Sequence, residues 1–376
     1  MKILFDLECT QPSFSGKRHG AGIYGEIVLR KLCERNVPVV AFYDSAKWLN
    51  PEMEKIVTDS PEATLVDRHG KPLQEVFDQS GADRLFSALP VPETLSVKTP
   101  RTIGVIHGLR TLELKPDKYF TNYPHTFYQW LRHMAERIIG HAIRKKRCND
   151  YIALLGHDMV VVSNHTAAAL RVWLPESTKR IVPVFYSPNT VSDAELDPAV
   201  IDGRKYILMV SGNRWEKNVL RAVMAIEKLF DKGLLPDLHV NITGLKKLGD
   251  LRYRFRHPER FSALGYVSDE DLGRLYRDAY MFIYPSINEG FGYPPLEAMS
   301  KSIPVAASAV CSIPEVCGGA ALYFNPYDIE EIANRIVQLA DPVMHRNMAE
   351  RGRKRYEYIR RQQDKDLEAL ADYICK

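Results

Sequence analysis

The 376-residue sequence predicts an α/β protein of two domains, each a parallel β-sheet covered by helices. Two observations predict it: short apolar runs alternate with segments of helical periodicity, and the alternation starts again after a turn-rich stretch at residues 186–203. At roughly 150 residues per domain, the length also suits two domains. We therefore expect Rossmann-like domains at 1–185 and 204–355 that face each other across a cleft, joined by a linker at 186–203. Terminal helices are expected to pack back on the first domain, with 356–376 as the returning segment.

The apolar runs place the strands, and segments whose apolar residues recur every three or four positions are the helices. In the first domain we expect strands at residues 1–7, 37–43, 101–107, 159–163 and 181–185, with helices at 22–35 and about 119–147. In the second domain we expect strands at 206–211, 238–243, 281–285, 304–307 and 321–324, with a further apolar run near 260–267. Helices are expected there at 218–231, from 269, from about 294, at 328–340 and at 341–375.

The composition excludes several classes of protein. With 45% hydrophobic and 26% charged residues, the chain is neither disordered nor collagen-like. No apolar run approaches the roughly 20 residues of a membrane span, and Asp6 interrupts the first apolar run before it could form a signal-peptide core. The six cysteines form no Cys-x-x-Cys pair, so we expect reduced thiols and a cytoplasmic protein.

Positive charge is concentrated in two segments. Residues 130–147 carry six Lys and Arg against one Glu, and residues 343–361 carry seven against two, so each has a local charge of +5 although the whole chain has +4. Such segments favour an anionic ligand or surface nearby, whereas solvated helix faces are the simpler explanation. We expect no nucleic-acid partner.

The first basic segment belongs to a predicted amphipathic helix. Its apolar residues recur near helical spacing: Trp130, Leu131, Met134, Ile138, Ile139, Ala142 and Ile143. The basic residues Arg144, Lys145, Lys146 and Arg147 follow directly. An aromatic anchor beside basic residues suits the surface of an anionic membrane. A core-facing helix with a solvated basic end is the alternative, and the pattern leaves both open.

The strongest candidate site follows a predicted buried strand. A loop containing Gly290, Phe291 and Gly292 leads into a helix that opens at two prolines, which suits a first helical turn. The free N–H groups and positive end of such a helix can hold an anion, and glycines let the backbone approach a ligand closely. Glu289 in the loop and Glu297 in the first helical turn add two carboxylates, which accept hydrogen bonds from the vicinal hydroxyls of a sugar or a ribose.

Residues 289–298 read Glu-Gly-Phe-Gly-Tyr-Pro-Pro-Leu-Glu-Ala, which resembles the Glu-x7-Glu loop of retaining GT-B glycosyltransferases of the family 4 type. The resemblance implies that Glu289 contacts hydroxyls of a donor sugar and that Glu297 binds the ribose of its nucleotide. It also implies that the backbone amides of residues 290–292 help to hold the sugar and the phosphates. The resemblance is strong in the second domain and weak in the first.

A second candidate is the strand, turn and helix start at residues 210–218. Gly212 follows the strand, and Arg214 and Lys217 stand at the helix start, where two cations can clamp a diphosphate without a metal. The family usually has a basic pair here. A surface ion pair for Arg214 and a solvated lysine at 217 are the alternatives. Downstream, Val267 lies in a Gly-Tyr-Val segment that resembles the family's contact with the nucleotide base, although a plain strand-to-helix turn explains it equally well.

In the first domain Gly20, Gly22 and Gly25 fit the pattern Gly-x-Gly-x-x-Gly. Twelve residues separate this pattern from the first strand, which argues against the tight pyrophosphate turn of a nicotinamide enzyme. The resemblance implies instead a loop that approaches the donor phosphate or the acceptor, with Gly22 among the donor-binding residues.

His107 ends a predicted strand, and a side chain at the carboxyl edge of an open α/β sheet points toward the ligand. The family often has His-Asp-Leu at this place, with the histidine touching the donor sugar. Here Gly108 replaces the aspartate, and a satisfied structural histidine is the alternative. Ser163 and Thr166 resemble a turn of the family, and we expect a helix-capping role for them.

The resemblance implies a retaining, metal-independent hexosyltransferase, with a catalytic set of Glu289, His107, Arg214 and Lys217. It would move a hexose such as mannose or glucose from a GDP- or UDP-sugar to a hydroxyl of a glycan or lipid-linked oligosaccharide, in the synthesis of a cell-surface polysaccharide such as lipopolysaccharide. Such an enzyme would work in the cytoplasm, where an anionic membrane surface is a further partner at the inner face of the plasma membrane.

No cofactor is expected besides the substrate nucleotide sugar. Asp364 and Asp366 form an Asp-x-Asp, but it lies in a terminal helical pattern rather than after a strand, so we expect no metal site. Two other classes of function remain open: a related nucleotide-sugar epimerase or sugar phosphorylase, and a catalytically silent sugar-binding scaffold. The donor base, the acceptor and the oligomeric state do not follow from the sequence.

Overall fold

The computed structural model describes residues 1–12, 19–123, 126–175, 182–188 and 206–376. Contacts divide the chain into two units. The first consists of Met1–Leu109, Lys145–Thr190 and Arg360–Lys376, and the second of Arg110–Arg144 and Val191–Ile359. Most of the predicted linker at 186–203 lies outside the described residues.

The first unit contains a six-stranded sheet in the order β3-β2-β1-β4-β5-β6, with every pair parallel. Its strands are β1 (Ile3–Asp6), β2 (Val39–Tyr43), β3 (Ala63–Asp67), β4 (Arg84–Ser87), β5 (Thr102–Ile106) and β6 (Asp158–Val161). The central strands β1, β2 and β5 are buried along nearly their whole length, as their apolar sequences require. The predicted parallel α/β architecture is thereby confirmed for this unit.

Two strands of this sheet, β3 and β4, were absent from the sequence prediction. β3 has only one buried residue because it lies at the sheet edge, and β4 has four residues that begin with a partly exposed arginine. The strand expected at 181–185 is reduced among the described residues to a single parallel bridge between Val161 and Val184. Short or edge strands carry too little apolar periodicity to be read from sequence alone.

The helices of the first half of the chain are α1 (Gly20–Glu34), α2 (Pro51–Asp59), α3 (Leu73–Ser80), α4 (Pro92–Ser96), α5 (Arg110–Glu113), α6 (Phe127–Leu155) and α7 (Asn164–Trp173). The helix expected at about 119–147 begins and ends eight residues later than predicted. Ser163 caps α7, since its Oγ accepts a hydrogen bond from the backbone N–H of Thr166 (3.2 Å), which confirms the capping role.

The end of the last helix packs on the first unit, as predicted. Arg84 and Arg101 each donate a hydrogen bond to a backbone carbonyl of this segment, those of Ile374 (2.9 Å) and Tyr373 (3.0 Å). Arg35 also pairs with Asp372 (2.6 Å). These contacts come from β4, from the residue before β5 and from the residue after α1, so the terminal segment is an integral part of the first unit.

The second unit repeats the architecture with the order β12-β11-β10-β7-β8-β9, again parallel throughout. Its strands are β7 (Tyr206–Met209), β8 (His239–Thr243), β9 (Phe261–Gly265), β10 (Met281–Tyr284), β11 (Val305–Ser308) and β12 (Ala321–Phe324). Its helices are α8 (Val219–Asp231), α9 (Asp269–Asp278), α10 (Tyr293–Ser300), α11 (Ile313–Cys317), α12 (Ile329–Ala340) and most of α13 (Pro342–Cys375). Every strand predicted for this half of the chain is present.

Residues 110–144 were expected within the first domain, at 1–185, but they pack on the second unit. Asp117 pairs with the buried Arg221 and accepts a hydrogen bond from Trp215 Nε1 (3.1 Å). The Tyr123 hydroxyl accepts one from the backbone N–H of Leu220 (2.9 Å). Buried polar contacts of this kind fix the segment to α8 and to the turn that precedes it.

All six cysteines are free thiols, in agreement with the sequence. Among the described helices, none has both the length and the apolar content needed to cross a bilayer.

Candidate functional site

The two strongest sequence motifs meet at the centre of the second sheet. β7 and β10 are neighbours in the sheet, and they are the strands between which the strand order reverses. Ligands of open α/β sheets bind beyond the carboxyl ends of the strands at such a switch point. Lys217 lies in the turn between β7 and α8, and Glu289 lies in the loop that follows β10.

Lys217 and Glu289 form a buried ion pair. The Lys217 Nζ atom lies 2.6 Å from Glu289 Oε1 and 3.0 Å from the Tyr284 hydroxyl, and the two charged residues are only 7% and 8% exposed. Ser286 Oγ donates a further hydrogen bond to Glu289 Oε1 (2.5 Å). The alternative of a solvated lysine at 217 is therefore excluded, because Lys217 is buried and is held inside the site by an acid from the other motif.

The ion pair determines the protonation of its acid. Burial alone would raise the pKa of Glu289, but the charge and hydrogen bond of Lys217 outweigh burial and hold this pKa below its usual value. Burial, reinforced by the Glu289 carboxylate, raises the pKa of Tyr284 well above its usual range. At neutral pH the site therefore contains an ionised acid, a lysine and a neutral phenol.

Ser312 contacts the backbone of the loop that begins at Glu289. The Ser312 Oγ atom lies within hydrogen-bonding distance of two loop carbonyls, those of Glu289 (3.0 Å) and Phe291 (2.8 Å), and its side chain is fully buried. Gly292 has φ +103°, a backbone angle that residues other than glycine rarely adopt, and α10 begins at the next residue. The loop thus reaches the helix start in a backbone conformation that requires this glycine.

Glu297 lies one turn further into the helix than expected. Because α10 begins at Tyr293, Glu297 is its fifth residue and not part of the first turn. Burial raises the pKa of Glu297, while the nearby Tyr276 hydroxyl opposes the shift. Tyr276 itself is buried at the end of α9. The second carboxylate of the motif is thus a partly buried group near a phenol, unlike the lysine-paired Glu289.

Among the hydrogen bonds and ion pairs of the described residues, none joins Arg214 to Lys217. Its guanidinium binds Glu216 (Nε to Oε1, 2.9 Å), and Arg110 binds the same carboxylate oxygen (2.7 Å). Burial would raise the pKa of Glu216, but these two cations keep it below its usual value. The ion pair weighed as the alternative for Arg214 is therefore present, with Glu216 as its partner.

Two further predicted residues of this unit, Gly212 and Val267, lie in the turns that follow β7 and β9. A Cβ atom at Gly212 would lie 2.6 Å from the side chain of Ile242, so the glycine allows the turn after β7 to pack against β8. Val267 lies between β9 and α9, where Ser268 caps the helix by accepting a hydrogen bond from the N–H of Asp271 (3.1 Å). Both residues lie at the carboxyl edge of the same sheet as Lys217 and Glu289.

The two predicted residues of the first unit, His107 and Gly22, have their contacts within that unit. His107 follows β5 and donates a hydrogen bond from Nε2 to the carbonyl of Ala88 (2.7 Å). Burial lowers the pKa of His107 to about 4, so its ring is neutral at pH 7. Gly22 lies in α1, and a Cβ atom there would come within 3.1 Å of the Thr10 carbonyl. Close packing of α1 on the turn after β1 therefore explains this glycine.

Several residues of the site were not identified from the sequence, namely Glu216, Tyr284, Ser286 and Ser312. Tyr284 and Ser286 flank the end of β10, and their positions next to the Glu289 motif could have indicated them. Ser312 follows 23 positions after Glu289, so only the tertiary structure brings it to the loop. The Asp-x-Asp at 364–366 has protein partners, since Asp366 accepts a hydrogen bond from the N–H of Tyr186 (2.9 Å).

Comparison with known proteins supports these motifs. Residues 193–355 match the family described as Glycosyl transferases group 1. The O-antigen chain mannosyltransferase B of Escherichia coli is 41% identical over 135 residues, which are 36% of this chain and 28% of that protein. The O-antigen chain mannosyltransferase RfbU of Salmonella typhimurium is 40% identical over 92 residues, 24% of this chain and 26% of that protein. The chain therefore spans little more than a quarter of these relatives' length.

Solved structures match over nearly the whole chain. The sucrose-phosphate synthase of Thermosynechococcus elongatus superposes with a TM-score of 0.72, covering 99% of this chain and 98% of that one, at 17% identity. At so low an identity the likeness shows the fold alone. Residues 193–355 of this chain therefore match the glycosyl transferases group 1 family, and the chain has the GT-B fold.

Proposed function

We propose that this protein is a retaining glycosyltransferase that moves a hexose from a nucleoside-diphosphate sugar to a hydroxyl of a glycan or lipid-linked oligosaccharide. The observation that carries the proposal is the buried pair of Lys217 and Glu289 at the switch point of the second sheet, inside the region that matches the family. An ammonium suits a phosphate, and a carboxylate that accepts hydrogen bonds suits sugar hydroxyls.

In the proposed reaction the bond between the anomeric carbon and the diphosphate oxygen breaks while the acceptor oxygen bonds to the same carbon from the same face. The acceptor proton passes to the departing diphosphate, so charge and atoms balance. Lys217 and the positive end of α10 stabilise the negative charge that develops on the leaving group. Glu289 exchanges its hydrogen bond from Lys217 for hydrogen bonds from the donor sugar.

The proposed transferred sugar is mannose. Both curated relatives described above are named O-antigen mannosyltransferases, which favours GDP- or UDP-mannose over a glucose donor and a cell-surface polysaccharide as the product. We further propose that no divalent cation is required, because Lys217 and the helix end supply positive charge at the leaving group.

A panel of UDP-, GDP- and other nucleotide sugars, followed by thermal unfolding, tests donor binding first, since a ligand that binds the folded state raises its stability. Transfer is then measured by mass spectrometry with the donor that binds and with mannose-terminated oligosaccharide acceptors. We expect product with retained anomeric configuration and full activity in EDTA. Turnover of the donor without an acceptor would favour the epimerase or phosphorylase alternative, and binding without turnover a silent scaffold. Activity lost in EDTA and restored by Mg²⁺ or Mn²⁺ would contradict the metal-independent mechanism.

We also propose that helix α6 attaches the enzyme reversibly to an anionic membrane. Phe127 and Tyr128 in its first turn are 74% and 73% exposed, and Leu131 and Ile139 are exposed as well. A core-facing helix does not leave such side chains in water. The exposed Lys145 and Lys146 follow along the same helix, whereas the side chains of Ile138, Ala142 and Arg144 lie outside the described part of the chain.

Sedimentation with anionic phosphatidylglycerol vesicles tests this attachment. Each basic residue near such a surface contributes about 1 kcal/mol, so replacing residues 144–147 by glutamine should abolish binding at low salt. A variant with Arg351 and Lys354 changed to glutamine, in the second basic segment, is the matched control and should bind like the wild type. Absence of binding by the wild type, or equal binding by both variants, would contradict membrane attachment and leave the transferase proposal intact.

A further inference from the structure

Arg110 adds a third cation beside the Lys217–Glu289 pair. It begins helix α5 and belongs to the second unit. Its Nη1 atom lies 2.7 Å from Glu216 Oε1, the oxygen that also accepts a hydrogen bond from Arg214 Nε (2.9 Å). Glu216 directly precedes Lys217 in the turn between β7 and α8. The contact thus brings a residue from outside both motifs, 106 positions before Glu216, to the turn that carries Lys217.

Helix α5 is attached to both motifs of the site. Arg110 at its start contacts the turn before α8, and Glu113 at its end contacts the loop after β10. There the Oε2 atom of Glu113 accepts a hydrogen bond from the side-chain amide of Asn288 (2.8 Å), and Asn288 directly precedes Glu289. Leu112, between the two contacts, is buried. The fold therefore places Arg110 beside the site before a ligand arrives, which lowers the entropic cost of binding.

The group of Arg110, Arg214 and Glu216 has a net positive charge. Burial would raise the pKa of Glu216, but the two guanidinium groups hold this pKa below its usual value, so two positive charges face one negative charge at neutral pH. Burial also raises the pKa of Tyr284, and the charge of Arg214 opposes that rise. Arg214 is therefore within electrostatic reach of the phenol that accepts a hydrogen bond from Lys217 Nζ (3.0 Å). The three cations act on one region, which favours an anion there.

Most hydrogen-bond donors of Arg110 have no partner among the described residues. A guanidinium has several N–H groups, and within the described part of the chain only Nη1 of Arg110 has an acceptor. The Nε atom is buried and has no hydrogen-bond partner there, which costs free energy. The side chain as a whole is 41% exposed, so a ligand can reach its terminal nitrogens. Phosphate oxygens suit such a planar group, which binds an anion through two N–H groups at once.

We propose that Arg110 binds the diphosphate of the donor together with Arg214 and Lys217, and that Glu216 holds the two guanidinium groups side by side until phosphate oxygens replace it. A diphosphate supplies both the negative charge that this group attracts and the acceptor oxygens that the donors of Arg110 lack. That the diphosphate belongs to a nucleotide sugar rests on the proposed function, whereas the binding of a diphosphate to Arg110 does not.

Isothermal titration of the full chain with inorganic diphosphate, with GDP and UDP, and with guanosine and uridine tests this contact at pH 7.5. In Arg110→Gln we expect the Kd of inorganic diphosphate, and that of the nucleoside diphosphate that binds the wild type, to rise at least tenfold. The Kd of the corresponding nucleoside should change less than twofold, because a nucleoside has no phosphate. An equal loss for the nucleoside, no loss at all, or absence of diphosphate binding by the wild type would overturn the proposal.

Two further arginine variants supply the controls. Arg277→Gln is the matched control and should bind diphosphate like the wild type, since Arg277 is 45% exposed and pairs with Asp278 (2.8 Å) at the end of α9, before β10 begins. Arg110→Lys keeps the charge without the planar fork, so we expect its loss to be smaller than that of Arg110→Gln, about threefold. Thermal unfolding verifies that the three variants fold. A tenfold loss in Arg277→Gln would show a general effect of surface charge and would also overturn the proposal.

A glutamate variant tests the competition between carboxylate and phosphate. Glu216→Gln keeps an oxygen that can accept from the guanidinium groups but removes the negative charge, so inorganic diphosphate should bind at least threefold more tightly. Glu270→Gln, which breaks an exposed pair with Arg274 (2.5 Å) on α9, should leave the affinity unchanged. Unchanged or weaker binding by a folded Glu216→Gln would contradict the competition.

The two proposals fail in different ways. Diphosphate binding that Arg110→Gln weakens, without transfer from any nucleotide sugar, would refute the proposed function and leave Arg110 in an anion site. Transfer with the same donor KM in Arg110→Gln and Arg277→Gln would refute the role of Arg110 and leave the proposed function in place.

Discussion

The two sheets have the same strand order, and each holds an acid beside a serine at its switch point, yet the two acids differ in protonation. In the first unit Asp6 at the end of β1 accepts a hydrogen bond from Ser87 at the end of β4 (2.6 Å), and burial raises the pKa of Asp6 to about 6. In the second unit Ser286 donates to Glu289 (2.5 Å), and the pKa of Glu289 lies below its usual value.

The difference comes from the countercharge. Both acids are buried, which raises the pKa, and both accept hydrogen bonds, which lower it. Glu289 alone has an ammonium in direct contact, that of Lys217 at 2.6 Å. The same topology therefore produces an acid that gains a proton near pH 6 in one unit and an acid that stays ionised at neutral pH in the other, and one lysine accounts for the contrast.

Removing this lysine should make the second site resemble the first. In Lys217→Met the buried Glu289 carboxylate loses its partner, so we expect its pKa to rise and the free energy of unfolding at pH 7.5 to fall by about 3–5 kcal/mol, together with loss of turnover. Urea denaturation and the transfer assay measure the two effects.

The double variant Lys217→Met with Glu289→Gln is the control. Because it removes both charges, it should recover most of the lost stability and none of the activity. A Lys217→Met protein as stable and as active as the wild type would show that the pair does not control the site.

In the first unit the free energy of unfolding should depend on pH through Asp6. Asp6 has a pKa of about 6 in the folded protein against 3.8 for the ordinary group, so the folded state binds the proton more tightly, and stability from this group is lost as the pH rises from about 4 to 6. We expect Asp6→Asn to be about 2 kcal/mol more favourable, relative to the wild type, at pH 7.5 than at pH 4.5. Urea denaturation at both pH values measures this difference.

Asp67→Asn supplies the control for pH. Asp67 is exposed at the end of β3, and hydrogen bonds from Ser45 and the backbone of His69 lower its pKa below the ordinary 3.8, so its variant should show almost no difference between pH 4.5 and pH 7.5. The same pH dependence in both variants would mean that burial of Asp6 is not the cause.

The two units also differ in how far the sequence predicts them. In the second unit every predicted strand is present, and Lys217 and Glu289 were both identified, because each stands in a motif directly after a strand. Their direct pairing was not predicted, and neither was the binding of Arg214 to Glu216, since motifs describe each loop separately.

In the first unit β3 and β4 escaped prediction, and so did a network of paired charges around Glu8. Its members Lys47, Arg68 and Glu93 lie 39, 60 and 85 positions further along the chain, in loops or a short helix without a shared pattern. Such a network exists only once parallel strands bring their carboxyl ends to one edge, so local periodicity carries no signal of it.

A smaller effect should distinguish the backbone of the loop at residues 289–292 from the charges of the Lys217–Glu289 pair. Ser312→Ala removes the hydroxyl that bonds the carbonyls of Glu289 and Phe291, which should lower stability by about 1–2 kcal/mol and turnover about tenfold, with nucleoside-diphosphate affinity changed less than threefold. Ser308→Ala is the matched control, since Ser308 is buried at the end of β11 and donates to the Tyr284 carbonyl instead (3.3 Å). Equal turnover in the two variants would show that Ser312 has no special role in positioning the loop.

The central claim is that the second unit binds the donor, with Glu297 on the nucleotide and Glu289 on the sugar. Isothermal titration of GDP and UDP into the wild type, Glu297→Gln and Glu289→Gln tests it most directly. For the nucleotide that binds the wild type, we expect Glu297→Gln to weaken binding at least tenfold, about 1.4 kcal/mol. Glu289→Gln should leave the affinity unchanged or tighter, because Lys217 no longer has to leave a carboxylate for the phosphate. Equal losses in the two variants, or full affinity in Glu297→Gln, would contradict this division of the site.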